Sequence, residues 1–417
     1  KRGFSYFHHR RDAPWPAQAT ANQLLIAASD AAEDADTHWL RSSFDHFLAR
    51  EAVTAGIELI EQAEVAELTG GPPWRLAGHA AGRAFTIEAA FLIDASGAGR
   101  ALEQWLGIGN HPRCLQTNSR AIYAHFRDVR RFGEVLGELG VATAGHPFAC
   151  DDAALHHVSD DGWMWVLRFN NGVTSAGWLL DADRFPYQPA LSAEDEWARQ
   201  LAAFPAIERQ FRQARAIDPP GGLRQTGRLQ HRCRVAAGDG WAMLPTTAYT
   251  LDALHSTGNA HTLAGIERLI AILEQHWRKP TLTAKLAEYD RIVQREISHL
   301  DRLVHGGYRA MKQFELFAAF AMFYFIAAHN CEGRRRDGRR EEPLLWAGEP
   351  AYQAVLHEAY QRLLSITEHG SAPAASVRSF ARQVAAGLEP FNIAGLRFPD
   401  GEGFTGGLSP SAPAKNS

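Results

Sequence analysis

Three stretches of this chain carry residue types that could do chemistry. The first is LPTTAYTLDALHSTGNAHTLAG, residues 244–265. Ser256, Thr257 and Gly258 stand where a helix must begin, because Leu263, Ile266, Leu269, Ile270 and Leu273 follow at helical spacing. A helix start leaves backbone N–H groups without partners and carries partial positive charge. Ser and Thr can cap it, and Gly lets a ligand approach the backbone. The turn reads either as a structural cap or as a seat for an anion or an electron-rich carbonyl. Asp252 and His255 lie just before it, and a His there can serve as general base or donor near neutral pH.

The second stretch is Phe91-Leu92-Ile93-Asp94-Ala95-Ser96-Gly97. Three apolar residues in a row suit a strand buried on both faces, and a helix over 100–106 follows. Ligands of doubly wound sheets bind outside the carboxyl ends of strands, so this turn is a candidate cofactor edge. The alternative is an ordinary turn with Asp94 as helix cap. The third stretch, Trp163-Met164-Trp165-Val166-Leu167, alternates, which puts both indoles on one strand face. They could hold a planar aromatic substrate, or simply fill a core.

Composition narrows the classes. The 417 residues are 46% hydrophobic and 22% charged, as in a chain that buries a core. A net charge of -4 offers no basic field for nucleic acid. The four cysteines, Cys114, Cys150, Cys233 and Cys331, form no Cys-x-x-Cys, so neither zinc nor a disulfide framework is indicated and a reducing, cytoplasmic setting fits. The pairs His8-His9 and His156-His157 are adjacent, so their side chains diverge, and core or surface roles are expected rather than metal ligation. The apolar run 316–328 falls short of the ~20 residues a bilayer span needs.

The elements that must position these stretches are mixed. Residues 1–37 read as short aromatic segments and polar loops. An apolar stripe from Trp39 to Val53 predicts a helix ending at Gly56, then a strand over 57–68 and a hairpin over 74–87. Strands are expected at 121–126, 155–158, 163–169 and 174–180, with a helical interlude over 192–214. Helices follow at 282–305, 312–328, 352–366 and 376–388. Residues 332–342, EGRRRDGRREE, read as a solvated loop, and the tail from 401 is expected to fray.

Taken in order, several stretches resemble the flavin-dependent halogenases, the tryptophan halogenase-like group of FAD-dependent oxidoreductases and monooxygenases. Trp39-Leu40-Arg41-x-x-Phe44-Asp45 looks like the family's Arg-x-x-Phe-Asp helix. Phe91 to Gly97 looks like its Asp-Ala-Ser-Gly strand end, and Gly162 to Leu167 like its Gly-Trp-x-Trp-x-Ile-Pro segment. Asp252 to Gly258 looks like its Asp-Pro-Leu-x-Ser-Thr-Gly loop, and Tyr308 to His329 like its C-terminal helices.

The resemblance implies an α/β fold. It would hold an FAD-binding, Rossmann-like domain of the p-hydroxybenzoate hydroxylase type, lacking its first βαβ unit, with an inserted β-sheet substrate domain and a C-terminal helical region. On that reading 1–110 are the remainder of the FAD-binding domain, 111–235 the inserted sheet, 236–280 the return of the FAD-binding domain, 281–400 the helical region and 401–417 a flexible tail. No Gly-x-Gly-x-x-Gly occurs and the chain opens on Lys1, so an ADP-binding unit is expected upstream.

The activity implied is halogenation of an aromatic or other electron-rich small molecule by FADH2, O2 and halide, with a separate flavin reductase as partner. Arg41, Asp94, Ser96, Gly97, Asp252, Thr257, Gly258 and Asn259 would bind or support FAD. Ser256, Thr257 and Gly258 would hold halide, Trp163 and Trp165 would meet the substrate, and Lys1 and His255 would be catalytic. Departures from the pattern are His255 where tryptophan-specific members place Glu, Ala253 and Arg168 in place of Pro, and Pro245-Thr246 where a Gly-Asp dipeptide is usual. These leave a hydroxylase or double-bond reductase of the same fold as one alternative, and a non-catalytic stretch unable to hold FAD as another.

Overall fold

The computed structural model describes residues 1–16, 20–28, 33, 35–217, 222–340, 342–398 and the backbone of 404–406. The chain divides into two compact units. One comprises Lys1–His38, Gln116–Gln230 and His299–Ser417, the other Trp39–Leu115 and His231–Ser298.

The first unit is built on a nine-stranded mixed sheet. Its order is Arg215–Ile217, Ser119–Arg127, Thr174–Asp181, Gly162–Arg168, Ala154–Ser159, Gly3–His8, Gln23–Ala27 and Phe404–Gly406, with Arg224–Arg228 also pairing on Ser119–Arg127. One face carries Phe7, Ile122, Phe126, Met164, Val166 and Trp178 into a core closed by Phe132, Phe204 and Ile207. Each such side chain contributes roughly 1.5–3 kcal/mol by leaving water. The opposite face carries Phe4 and Tyr6, which meet Phe317, Tyr324 and Phe325 of the helix Phe314–Arg336 edge-on. That helix is long and apolar enough to cross a bilayer, but most of its apolar stretch is buried in the protein.

The second unit holds two small three-stranded sheets. Ala63–Gly70, Trp74–Ala80 and Arg83–Ala89 form an antiparallel meander. Leu92–Asp94 runs parallel to Trp241–Met243, which pairs in turn with Ala237–Gly238. The helix Gly258–His276 and the first part of Leu282–Ala310 complete it.

The structure corrects several expectations. Residues 1–38 belong with the sheet unit, because Gly3–His8 pairs parallel with Ala154–Ser159 and antiparallel with Gln23–Ala27. The strand Gln23–Ala27 falls where the sequence reads as loop. The interlude at 192–214 is two helices, Ala193–Ala202 and Pro205–Phe211, since Pro205 supplies no N–H to continue the first. The run at 332–342 is helical as far as Arg336, where Glu332 and Arg336 pair one turn apart. In the tail, 404–406 form a strand on Gln23–Ala27, while 401–403 and 407–417 lie outside the described residues.

The adjacent histidines diverge. His156 stacks on Tyr6 with ring centroids 4.4 Å apart. His157 turns into the core, where Nδ1 meets His9 Nε2 at 2.9 Å and Nε2 meets Gln210 Oε1 at 2.8 Å. No cluster of metal-ligating side chains occurs among the described residues, and none of the four cysteines forms a disulfide. Burial, and for His9 the neighbouring His157 and His8, hold both imidazoles far below the usual pKa, His157 at about 3. The unfolded chain takes up these protons first, at its ordinary pKa near 6.5. Stability from the pair is therefore complete above pH 6.5 and falls as pH drops toward 3, for His157 by about 2 kcal/mol between pH 7 and 5. Urea denaturation across that range should show His157→Gln with a shallower loss of stability than the unaltered protein.

Candidate functional site

The loop before the helix Gly258–His276 is shaped by its own short-range bonds. Asp252 Oδ1 accepts the Leu254 N–H at 3.0 Å, closing a turn of the kind Asp favours. Ser256 N–H donates to Ala253 O at 2.8 Å, and Ser256 takes a left-handed φ of 52° that swings the chain into the helix. No side chain caps the helix start. Ser256 and Asn259 are exposed, and Thr257 and Gly258 half-exposed. The N–H groups of the first turn have no partner within the helix, so this end can take an anion or a polarised carbonyl oxygen.

The second loop follows the strand Leu92–Asp94. Asp94 Oδ1 accepts from Ser96 N–H and Oδ2 from Leu102 N–H, both at 2.8 Å, and Ser96 Oγ accepts from Ala101 N–H at 3.1 Å. Asp94 and Ser96 therefore hold the loop, while the cap position of the helix Ala101–Trp105 is Arg100 rather than Asp94. Gly97 has φ 58° and donates its N–H to Thr247 Oγ1 at 3.0 Å. Thr246 Oγ1 lies 2.8 Å from Thr262 Oγ1. The neighbouring threonines thus tie the Gly97 loop and the Gly258 helix to one short helix, Pro245–Ala248. Sequence reasoning treated Pro245-Thr246 only as a departure. The available signal was two adjacent hydroxyls after a helix-starting Pro.

Beneath the loops lies a network that the sequence did not disclose. Glu296, fully buried, accepts from His261 Nε2 at 2.6 Å and from both terminal nitrogens of Arg268 at 2.9 and 2.6 Å. Tyr249 Oη bonds His261 Nδ1 on the other side of the ring. Burial pushes the Glu296 carboxyl up, but His261 and Arg268 outweigh it and hold it well below the usual range. His261 and Arg268 stand two turns apart on one helix face, a spacing visible in the sequence, but their partner lies on another helix.

No family model matches the chain. It is 28% identical over 313 residues to the tetracycline 7-halogenase of Kitasatospora aureofaciens, covering 73% of this chain and 52% of that protein. It is also 28% identical to the monodechloroaminopyrrolnitrin halogenase PrnC of Pseudomonas fluorescens, covering 70% and 51%. The crystal structure of halogenase PltM superposes with a TM-score of 0.79 at 22% identity, over 94% of this chain and 79% of that one. The chain is similar in sequence and in fold to proteins named as halogenases. It spans about half the length of the curated relatives it matches.

The residues that the family pattern singles out do not all stand open. His255 is turned inward, 2% exposed, so it presents no face to a substrate in this conformation. Trp163 is 1% exposed and packs on His156, leaving Trp165 as the accessible indole of the pair. Lys1 sets its ammonium 4.2 Å from the Phe4 ring, and burial lowers its pKa against the pull of Asp36. Arg41 is exposed on the helix Arg41–Thr54 and grips Asp45 at 2.7 and 2.9 Å. Arg41 and the two loops lie in one unit, Lys1, Trp163 and Trp165 in the other.

Two stability measurements check this architecture. Glu296→Ala strands Arg268 without its buried counter-charge and should cost about 3–5 kcal/mol in chemical denaturation. Asp94→Ala removes the acceptor for two amides and should cost about 1–3 kcal/mol.

Proposed function

We propose that this chain forms part of an FAD-dependent halogenase-like oxidoreductase that uses FADH2, O2 and halide to halogenate an aromatic or other electron-rich small molecule. The observation that carries the reading is the uncapped helix start at Ser256-Thr257-Gly258, held beside the Gly97 loop by Thr246 and Thr247. Both loops suit a flavin edge sterically. A Cβ built at Gly97 would meet nothing within 4 Å, and one at Gly258 only Thr246 Cγ2 at 3.8 Å, so a ligand can approach either backbone. A solved structure of PltM carries FAD and phloroglucinol together.

The geometry supports the following roles. Thr257 and Gly258 present N–H groups and partial positive charge to halide and to a flavin carbonyl. Ser256 completes the turn, and Asn259 lies exposed in its first helical coil. Asp94, Ser96 and Asp252 stiffen the loops rather than touch a ligand, and Arg41 offers a charged donor. When bound, reduced flavin supplied by a separate reductase would, with O2 as the oxidant, provide the chemistry that turns halide into a hypohalous acid, leaving oxidised flavin and water. The Lys1 ammonium, partly desolvated, is suited to hold or pass on such a species.

A specific feature favours a second reading, that this stretch alone holds no FAD. The strand Leu92–Asp94 is an edge of its sheet, and Ile93 there is 51% exposed. Leu263 and Ile270, two turns apart on the adjoining helix, are each 51% exposed as well. A further strand and helix, such as an ADP-binding unit, would cover these groups.

Flavin absorbance of the purified chain, compared with a chain extended upstream, separates the two readings. In the flavin-holding form, incubation with a reductase, chloride or bromide and candidate phenols, pyrroles and indoles should give products with a halogen isotope pattern. Oxygen insertion without halide would overturn the halogenase reading in favour of a hydroxylase. Gly258→Pro, which deletes one of these N–H donors at the first helical position, should lower halide use about a hundredfold, far more than it lowers flavin retention, the loss expected of one transition-state donor.

A further inference from the structure

The open part of the aromatic sheet face has a construction of its own. Trp165, Gly177 and Tyr123 stand side by side on three neighbouring strands, Trp165 paired with Gly177 and Gly177 with Tyr123. A Cβ at Gly177 would come within 2.4 Å of Trp165 Cη2 and 2.5 Å of Tyr123 Cβ. Only glycine therefore lets the six-membered ring of the indole lie over the central strand. The indole is held at its other edge, where Nε1–H donates to Ser175 Oγ at 3.1 Å. Its centroid lies 6.3 Å from that of Tyr123, at an interplanar angle of 36°. Trp165 is half-buried and Tyr123 is 39% exposed. A ring fixed from below and along one edge, with a second ring beside it, loses little entropy when a flat ligand arrives.

We propose that Trp165 and Tyr123 form a stacking subsite for one planar, electron-rich aromatic ring, with Gly177 as the positioning residue that seats the indole. This rests on the proposed function for why such a ring is held, and deepens it by naming where. An aliphatic ring of the same size lacks the flat π-face and is not retained.

Saturation-transfer NMR titration of the protein with resorcinol, and with 1,3-cyclohexanediol as the non-aromatic control, tests the subsite without flavin or halide. Resorcinol should bind and the diol should not. Trp165→Ala and Tyr123→Ala should each weaken resorcinol about two- to tenfold, the scale of one ring–ring contact. Gly177→Ala should weaken it comparably, and the double variant Gly177→Ala/Trp165→Phe should regain part of the ring-selective binding, because the smaller ring clears the added methyl. Tyr123→Ala, at a partly exposed position, keeps the result decisive if Gly177→Ala does not fold. Absence of ring-selective binding to the unaltered protein, or binding untouched by any single variant, overturns the subsite. Ring-selective binding in a protein that halogenates nothing leaves the subsite standing and removes the proposed function, whereas halogenation without that binding removes the subsite alone.

Discussion

Glu296 has no exposed surface, and its carboxylate gathers His261, Arg268 and, through the imidazole, Tyr249. An ion so placed gives up its hydration, which only close and complete hydrogen bonding can offset. That requirement fixes the helix Gly258–His276 in its rotation about its own axis, because two of its residues must face one carboxylate. The start of the helix is then fixed too. Gly265 on the same helix lets Pro245 pack against it, where a Cβ would meet the proline ring at 2.5 Å. With the helix and Pro245–Ala248 both seated, the connecting loop leaves Ser256 outward and His255 inward. The openness of the candidate site follows from a charge buried beneath it.

The sheet unit works from a different constraint. Its two faces have different fillings, one aliphatic and aromatic core, the other a row of rings running from Phe4 and Tyr6 through His156 and Trp163 to Trp165. Strand alternation sorts the side chains, and the helix Phe314–Arg336 covers the Phe4 and Tyr6 end of the row. The pair of histidines at 156 and 157 shows the sorting most plainly. One stacks in the ring row, while the other is held neutral in the core.

Much of the site was legible because its chemistry is local. The Asp252 turn, the Asp94 cap and the helix start at Gly258 each depend on residues a few positions apart, and short-range hydrogen bonding is what Asp, Ser and Gly encode. The alternation of Trp163 and Trp165 placed both on one face, but not which of them would be covered. The strand Gln23–Ala27 was missed because its neighbours supply the evidence for it, and they lie on both sides in the sheet. The helix through Arg336 was missed because a charged run reads as solvated loop, although solvated helical coils pair such charges one turn apart.

The sequence by itself determined the mixed class, the alternation of the sheet strands, the long helices and the order of motifs that resemble those of the flavin-dependent halogenases. These depend on periodicity and on turn chemistry within a few residues. The tertiary structure alone decided that Gly3–His8 and Gln23–Ala27 join the sheet, that His255 faces inward, that Thr247 receives the Gly97 N–H and that Glu296 anchors the helix. Each of those facts depends on partners far apart in the chain, 150 positions in the case of Gly97 and Thr247. Burial and hydrogen-bond pairing are properties of the assembled neighbourhood, and no local pattern of residues carries them.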